Sequence, residues 1–268
     1  MGSISAKIHT YNEADYIEEC IESCIPWADE IVIIDMESTD NTVELAGKYT
    51  DKIFTHPWLP TADPARNFGL QKVTGEWVME LDPDERVTEK LGRTCRRIAD
   101  DPNSANAYYV PYLTVMFGRP IRHSGWGNDE HMHFFRREKC TWLPYVHLKP
   151  QIEGPVGRIS RKDGCVVHLN YRDISHFIEK LNRYTTMEAE RLHDENRPFR
   201  WLKLFYQPTK EFFRRYLVLK GYKDGVVGLF LAAMMAFYTQ ASYIKLWEMY
   251  DRDKREKGSK DSKAETAR

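Results

Sequence analysis

Apolar residues recur along this chain in short runs that alternate with helical spacings. Ile4 to Ile8 reads as a first strand. Glu30-Ile31-Val32-Ile33-Ile34-Asp35 reads as a second, nearly continuous in apolar residues, as strands buried on both faces are. Between them Ile17, Cys20, Ile21, Cys24 and Ile25 fall on one helical stripe, with Asn12 as the expected cap. Ser38 or Thr39 is the expected cap of a second helix through Val43 and Ala46, and Lys52 to Thr55 forms a short third strand. Asp63-Pro64 reads as an N-cap with proline at the first helical position, opening a helix through Phe68 and Leu70. Glu76 to Leu81 gives a fourth strand that ends at Asp82, and Thr88 opens a helix with Leu91, Cys95 and Ile98 on one face. This repetition predicts a doubly wound α/β domain with a parallel sheet.

Beyond about Asp101 the pattern changes. Tyr108 to Phe117 is β-branched and aromatic, with Pro111 inside it, and Phe134-Phe135 and Cys165 to His168 are further strand candidates. They predict an antiparallel extension of the same sheet, so that the whole sheet is mixed and carries flanking helices. Helical spacing returns from Ser175, through Ile178, Leu181 and Tyr184-Thr185. The expected organisation is one α/β domain over residues 1–190, a helical basic and aromatic region over 191–250, and a charged tail over 251–268. The tail lacks apolar anchors and is expected to be disordered.

The chain has 268 residues and a formal net charge of −1, which gives no global attraction to nucleic acid. The charge is unevenly placed. From Arg197 to Gly225 there are eight basic and two acidic residues. A local basic patch on a near-neutral chain suits an anionic surface. The five cysteines are odd in number and contain no Cys-x-x-Cys, which points to free thiols in a reducing compartment. A strand pattern starts almost at the first residue, so no secretory leader is expected and the cytoplasm is the expected compartment.

Asp82-Pro83-Asp84 is the strongest chemical signal. Two carboxylates one residue apart follow a buried strand, on the edge where open α/β sheets bind ligands. Such a pair suits a hard divalent cation, Mg²⁺ or Mn²⁺, that also holds a diphosphate. Thr10-Tyr11-Asn12-Glu13 follows the first strand, Asp35 to Thr42 the second, Arg66-Asn67 opens the third helix, and Glu85 extends the acidic pair.

In this order and at these spacings the pieces resemble family 2 glycosyltransferases, which have the GT-A fold. The resemblance is strong over roughly residues 4–90 and weaker to about 190. It implies a nucleotide-sugar donor, with UDP as the expected nucleotide. Thr10, Tyr11 and Glu13 would line the nucleoside pocket, with Tyr11 against the base and Glu13 holding the ribose or orienting the loop. Asp35 would accept the imino hydrogen of uracil, Arg66 would reach the diphosphate, Asp82 would approach the ribose or sugar, and Asp84 would bind the metal. His168 would be a further metal ligand or a phosphate contact. Asp129 is the first candidate for the general base of an inverting transfer, with Glu130 and Glu153 as alternatives.

The motif His168-x-x-Tyr171-x-Asp173-Ile174-Ser175, then Lys180 to Thr185, resembles bacterial lipopolysaccharide inner-core β-glucosyltransferases. So do Phe134-Phe135-Arg136-Arg137 and Val146-His147. The chain departs from that group at His133, where arginine is usual, and at Leu148, where glutamate is usual. The implied acceptor is a lipid-linked glycan or lipopolysaccharide core. A polyprenyl phosphate acceptor and a non-catalytic nucleotide-binding scaffold are the alternatives.

Eight aromatic residues interleave the basic ones between Arg197 and Lys223, as suits a lipid headgroup boundary. Gly225 to Ile244 then runs 20 positions without a charge, long enough to cross a bilayer. A buried core helix, a surface anchor and a span are all compatible with that run. The expected location is peripheral, at the inner face of the cytoplasmic membrane. Nucleic acid is not an expected partner, and a homo-oligomer is left open.

Overall fold

A computed structural model describes residues 2–59, 65–142 and 150–266. The elements in chain order are β1 (Ile4–Thr10), α1 (Ile17–Cys24), β2 (Glu30–Asp35), α2 (Thr42–Ala46), β3 (Ile53–Thr55), α3 (Arg66–Leu70), β4 (Trp77–Leu81), β5 (Glu85–Val87) and α4 (Glu89–Asp100). There follow β6 (Ala107–Met116), β7 (Arg119–Pro120), β8 (Glu130–Arg136), β9 (Cys140–Thr141), β10 (Gln151–Ile152), β11 (Val156–Arg158) and β12 (Val166–Tyr171). Three long helices close the chain: α5 (Ile174–Asp194), α6 (Trp201–Phe213) and α7 (Gly225–Thr266).

The chain divides into two compact units. One comprises Met1–Val115 with Asn128–Asn170, the other Met116–Gly127 with Tyr171–Arg268. The first holds the sheet, ordered β3-β2-β1-β4-β8-β6-β12-β5. β3, β2, β1 and β4 run parallel, and β8 joins β4 antiparallel with Trp77 opposite Arg136. This is the mixed sheet that the change in pattern after Asp101 predicts. β1 and β4 are buried along their whole length, because helices cover both faces. One face carries Ile4, Ala6, Ile8, Trp77 and Met79 against Ile17 and Ile21 of α1 and Leu91 of α4. Full burial of Ile17 and Ile21 contributes about 4 kcal/mol together. The other face carries Val32, Ile34, Val78 and Phe135.

The second unit is helical. Asp173 caps α5, its side chain accepting from the His176 amide at 2.8 Å. Phe177 and Leu181 of α5 pack with Met116, Ile121 and Leu231. A second cluster joins Ala189 of α5, Leu204 of α6 and Tyr243 and Leu246 of α7. The apolar face of α5 is thus committed to the helical unit, so the division falls at Tyr171 and not near residue 190. α7 continues to Thr266, through the charged segment expected to be disordered.

Two expected caps differ from the structure. Asn12 lies outside α1, which starts at Ile17; it adopts φ 53° and its side-chain oxygen accepts from the Thr39 amide at 2.7 Å. Ser38 and Thr39 precede α2 by several residues and instead bond to Asn12. In each case a side chain expected to serve its own helix ties the loop after β1 to the loop after β2. The expected cap at Asp63-Pro64 lies outside the described residues, and α3 is described from Arg66.

Candidate active site

Strand register builds the centre of the site. Lys7 of β1 and Glu80 of β4 are paired across the parallel ladder. His9, two residues along β1, points to the same side of the sheet. Lys7 Nζ lies 2.7 Å from Glu80 Oε2, and His9 Nδ1 lies 2.9 Å from Oε1. Arg66, the first residue of α3, brings Nη1 to 2.8 Å from the same Oε1. α3 approaches this closely because of Gly69, where a Cβ would meet Lys7 Cδ at 2.8 Å and His9 Cε1 at 3.2 Å. The Arg66 guanidinium also stacks on Trp142, 4.7 Å from its ring centre.

Glu80 is wholly buried, and burial alone would raise its pKa. Lys7, Arg66 and His9 outweigh that and hold the carboxyl well below its ordinary range. Burial lowers the pKa of Lys7 and of His9, with Glu80 opposing in both cases. The sequence reading singled out Arg66 and missed its three partners. Their signal was polar residues at the interior positions of two buried strands.

The acidic pair follows β4 directly. Asp82 Oδ1 lies 3.7 Å from Arg66 Nη2, and Asp84 Oδ2 lies 3.5 Å from His168 Nε2 on β12. β12 is held here by antiparallel pairing with β5, His168 opposite Glu85. Glu85 folds back so that its Oε2 accepts from the Asp82 amide at 3.1 Å. Arg86 clamps the turn, donating to the carbonyls of Pro83 at 2.6 Å and Tyr16 at 2.8 Å. Burial raises Asp82, and Asp84 and Glu80 raise it further against the pull of Arg66. Burial and Asp82 push Glu85 well above its ordinary value. Burial pulls His168 down, but Asp84, Glu85 and Asp82 raise it to about 9.

Carboxylates crowded enough to raise one another's pKa form a site that a cation relieves. Among the described residues no group of three or more His, Cys, Asp or Glu side chains is disposed to hold a metal. Asp84 supplies a carboxylate of the kind an ion such as Mg²⁺ takes, with phosphate oxygens and water completing its shell. His168, held at about 9 and so protonated beside it, would have to give up its proton to join as a ligand.

A second part of the site lies at the ends of β1 and β2, where Thr10 and Asp35 are register partners. Both are almost fully buried. Among the described residues Thr10 Oγ1 and Asp35 Oδ1 have no hydrogen-bond partner. Asp35 Oδ2 accepts from the Ser38 amide at 3.0 Å, which fixes the carboxylate. Buried polar atoms are normally satisfied, so two orphans side by side at a strand edge suit a ligand that donates and accepts there. Tyr11 stands at the rim, edge-on to Trp58 with ring centres 6.0 Å apart. Trp58 carries no motif and was not singled out from sequence. The Glu13 amide donates to Thr42 Oγ1 at 2.8 Å, placing Glu13 in the loop between β1 and α1.

Asp129 and Glu130 part company. Asp129 Oδ2 lies 3.2 Å from His131 Nε2. Burial would raise Asp129, and the bond to His131 more than offsets it. Glu130, at the start of β8, is ion-paired with Arg158, which stacks on Tyr109. Glu153 is paired with Lys139 at 3.1 Å. His131, His133 and His168 surround the ring of Tyr112, at centroid distances of 4.4, 5.9 and 6.1 Å. Tyr112 Oη lies 3.2 Å from Glu85 Oε2 and 2.8 Å from His133 Nδ1. Burial, with Arg66 and His131 nearby, holds His133 well below its usual pKa, so it meets Tyr112 as a neutral ring. Sequence reasoning read His131 and His133 only as alternating strand residues. His147 and Leu148 lie outside the described residues.

Residues 5–151 match the model of the family described as Glycosyl transferase family 2. The chain is similar to the lipopolysaccharide core biosynthesis glycosyltransferase LpsC of Rhizobium meliloti (strain 1021), with 26% identity over 92% of this chain and 93% of the relative. It is similar to an uncharacterized glycosyltransferase of Rickettsia typhi, with 24% identity over 93% of this chain and 88% of the relative. Among solved structures, that of S. aureus TarS 1-349 aligns over 94% of this chain and 92% of that chain, with 14% identity and a TM-score of 0.43. Glucosyl-3-phosphoglycerate synthase from Mycobacterium tuberculosis, in complex with Mn²⁺, UDP and glucosyl-3-phosphoglycerate, aligns over 42% of this chain and 44% of that chain, with 19% identity and a TM-score of 0.35.

Proposed function

Because the chain belongs to glycosyl transferase family 2, we propose that it moves a hexose from a UDP-sugar to a lipid-linked or lipopolysaccharide-core acceptor, with inversion, at the cytoplasmic face of a membrane. The observation that carries the donor half is the orphaned pair Thr10 Oγ1 and Asp35 Oδ1, one strand away from Arg66 and the acidic turn. The acceptor half is supported by the relative named for lipopolysaccharide core biosynthesis.

Asp35 accepts the imino hydrogen of the base through its unpartnered oxygen. Tyr11 covers the base, with Trp58 behind it, and Glu13 holds the ribose. Arg66, stiffened by Glu80 and Trp142, sets a guanidinium against the diphosphate, and Asp82 orients the sugar. Asp84, with His168 beside it once deprotonated, would hold a divalent cation, Mg²⁺ or Mn²⁺, which would supply charge that stabilises the leaving diphosphate. Asp129 takes the proton of the attacking hydroxyl, positioned and kept ionised by His131. Glu130 is left to its ion pair with Arg158.

Incubating the purified chain with a panel of nucleotide sugars and a truncated lipopolysaccharide core tests this. The expected product is the acceptor heavier by one hexose, formed from a UDP-sugar. Transfer only to a polyprenyl phosphate would replace the acceptor assignment. Failure to bind or turn over any nucleotide sugar would overturn the reading.

A further inference from the structure

We infer that α6 and the segment that follows it form a docking face for an anionic lipid surface, and that α7 packs by one face on the helical unit and is not a membrane span. This deepens the reading of a lipid-linked acceptor. Vesicle binding is read without glycosyl transfer, so the two can fail separately.

An amphipathic helix in a soluble unit turns its apolar stripe inward. In α6 the stripe faces out. Trp201, Leu202, Phe205, Tyr206 and Phe213 are 60%, 84%, 65%, 65% and 52% exposed. They recur at spacings of three, four and seven or eight, so they occupy one contiguous arc. The buried side of α6 is marked by Leu204, which packs with Ala189, Tyr243 and Leu246. Past the helix Leu217, Val218 and Val226 are also exposed, at 52%, 72% and 84%. A contiguous exposed apolar face of this kind marks an interaction surface.

Charge identifies the occupant. Lys203, Lys210, Lys220 and Lys223 are exposed on this segment, with Arg200 just ahead of α6. The two acids of the segment are consumed internally. Glu211 pairs with Arg214 and Arg215 at 2.8 and 2.6 Å. Asp224 lies 3.0 Å from His123 Nδ1 and accepts from the His123 amide at 3.0 Å. The surface that remains is apolar with basic residues along it, which complements anionic headgroups over an acyl layer.

α7 is long and apolar enough to cross a membrane by length and composition. Its contacts argue otherwise. One face of it is buried through Leu231, Ala232, Ala241, Tyr243 and Leu246, while Leu229, Phe237, Ile244 and Trp247 on the other side are exposed. Lys245 Nζ is bonded to Asn182 Oδ1, Thr185 Oγ1 and Thr186 Oγ1 of α5 at 2.8, 2.9 and 2.8 Å. At its start Gly228 lies so close to Gly221 that a Cβ would meet the Gly221 carbonyl oxygen at 1.8 Å. Inserting α7 across a bilayer would break the packing of its buried face and the Lys245 bonds to α5.

Cosedimentation of the full chain with vesicles decides the matter. Vesicles of phosphatidylcholine with phosphatidylglycerol should pellet the protein, and vesicles of phosphatidylcholine alone should retain much less. High salt should release part of it, because the apolar contacts are salt-resistant. The exposed double substitution Leu202→Glu and Phe205→Glu should weaken binding about tenfold or more, with an unchanged thermal melt. Carbonate should extract the wild type. Four results would overturn the inference: no binding to either vesicle, a double variant that binds as the wild type does, carbonate resistance, or a wild-type dimer that the substitutions split.

Discussion

Glu80 ties three basic side chains together, and each would be left differently by its loss. With Glu80→Gln, Lys7 and Arg66 remain buried without their counter-charge. Breaking such a pair costs about 3–5 kcal/mol. Adding Lys7→Met should recover part of that loss in urea unfolding, because one buried charge leaves with its partner. Equal stability of Glu80→Gln and wild type would show that the cluster does not restrain Arg66. Asp35 acts on another step. Its orphaned oxygen is proposed to read the base, far from the breaking bond, so Asp35→Ala should raise the donor KM roughly tenfold and change kcat little. Calorimetry with UDP alone checks this, and unchanged affinity contradicts it.

At the level of elements, α3 is a five-residue helix whose purpose is to present Arg66. Gly69→Ala should push it off Lys7 and His9, with a cost of about 1–3 kcal/mol from overpacking and a weaker grip on the donor. A melt and a donor KM that are both unchanged would mean the helix yields freely. β2 gives a pH prediction. Burial would raise Glu30, but Lys52, Ser5 and Thr74 hold it down at about 2, against an ordinary 4.5. A carboxylate with a depressed folded pKa contributes stability above its unfolded pKa and loses it as pH falls through the folded one. Glu30 should therefore contribute on the order of 1–2 kcal/mol at neutral pH once water screening at the exposed Lys52 is allowed for, lost between pH 4.5 and 2. Glu30→Gln should flatten the stability profile in that window, and an unaltered profile would remove Glu30 from the account.

The strands and their edge were legible because burial on both faces leaves a near-continuous apolar run, and Thr10, Asp35 and Asp82 sit where such runs stop. The loops were not. Asn12 and Ser38 have the composition of helix caps, and only their juxtaposition shows that they serve each other. The ring of histidines was hidden for a related reason. Tyr112, His131 and His168 come from β6, β8 and β12, and antiparallel pairing across long sequence separations brings them together. The outward stripe of α6 is periodic in sequence, but periodicity does not say which side of a helix the unit covers.

On the scale of the whole molecule, charge and chemistry are divided between the two units. The sheet unit carries the acidic turn, the buried cluster and the orphaned acceptors. The helical unit carries the basic, apolar face proposed to meet lipid. Glycosyl transfer is proposed to depend on the first, and its most direct test is at the acidic turn. UDP release from the preferred donor should be measured on the full chain with Mg²⁺ or Mn²⁺, for wild type and for Asp84→Ala, with circular dichroism on both. The account predicts that the wild type turns over only with the cation, and that Asp84→Ala falls about a hundredfold or more with an unchanged fold. Near wild-type turnover by a folded Asp84→Ala, or turnover indifferent to the cation, would contradict it.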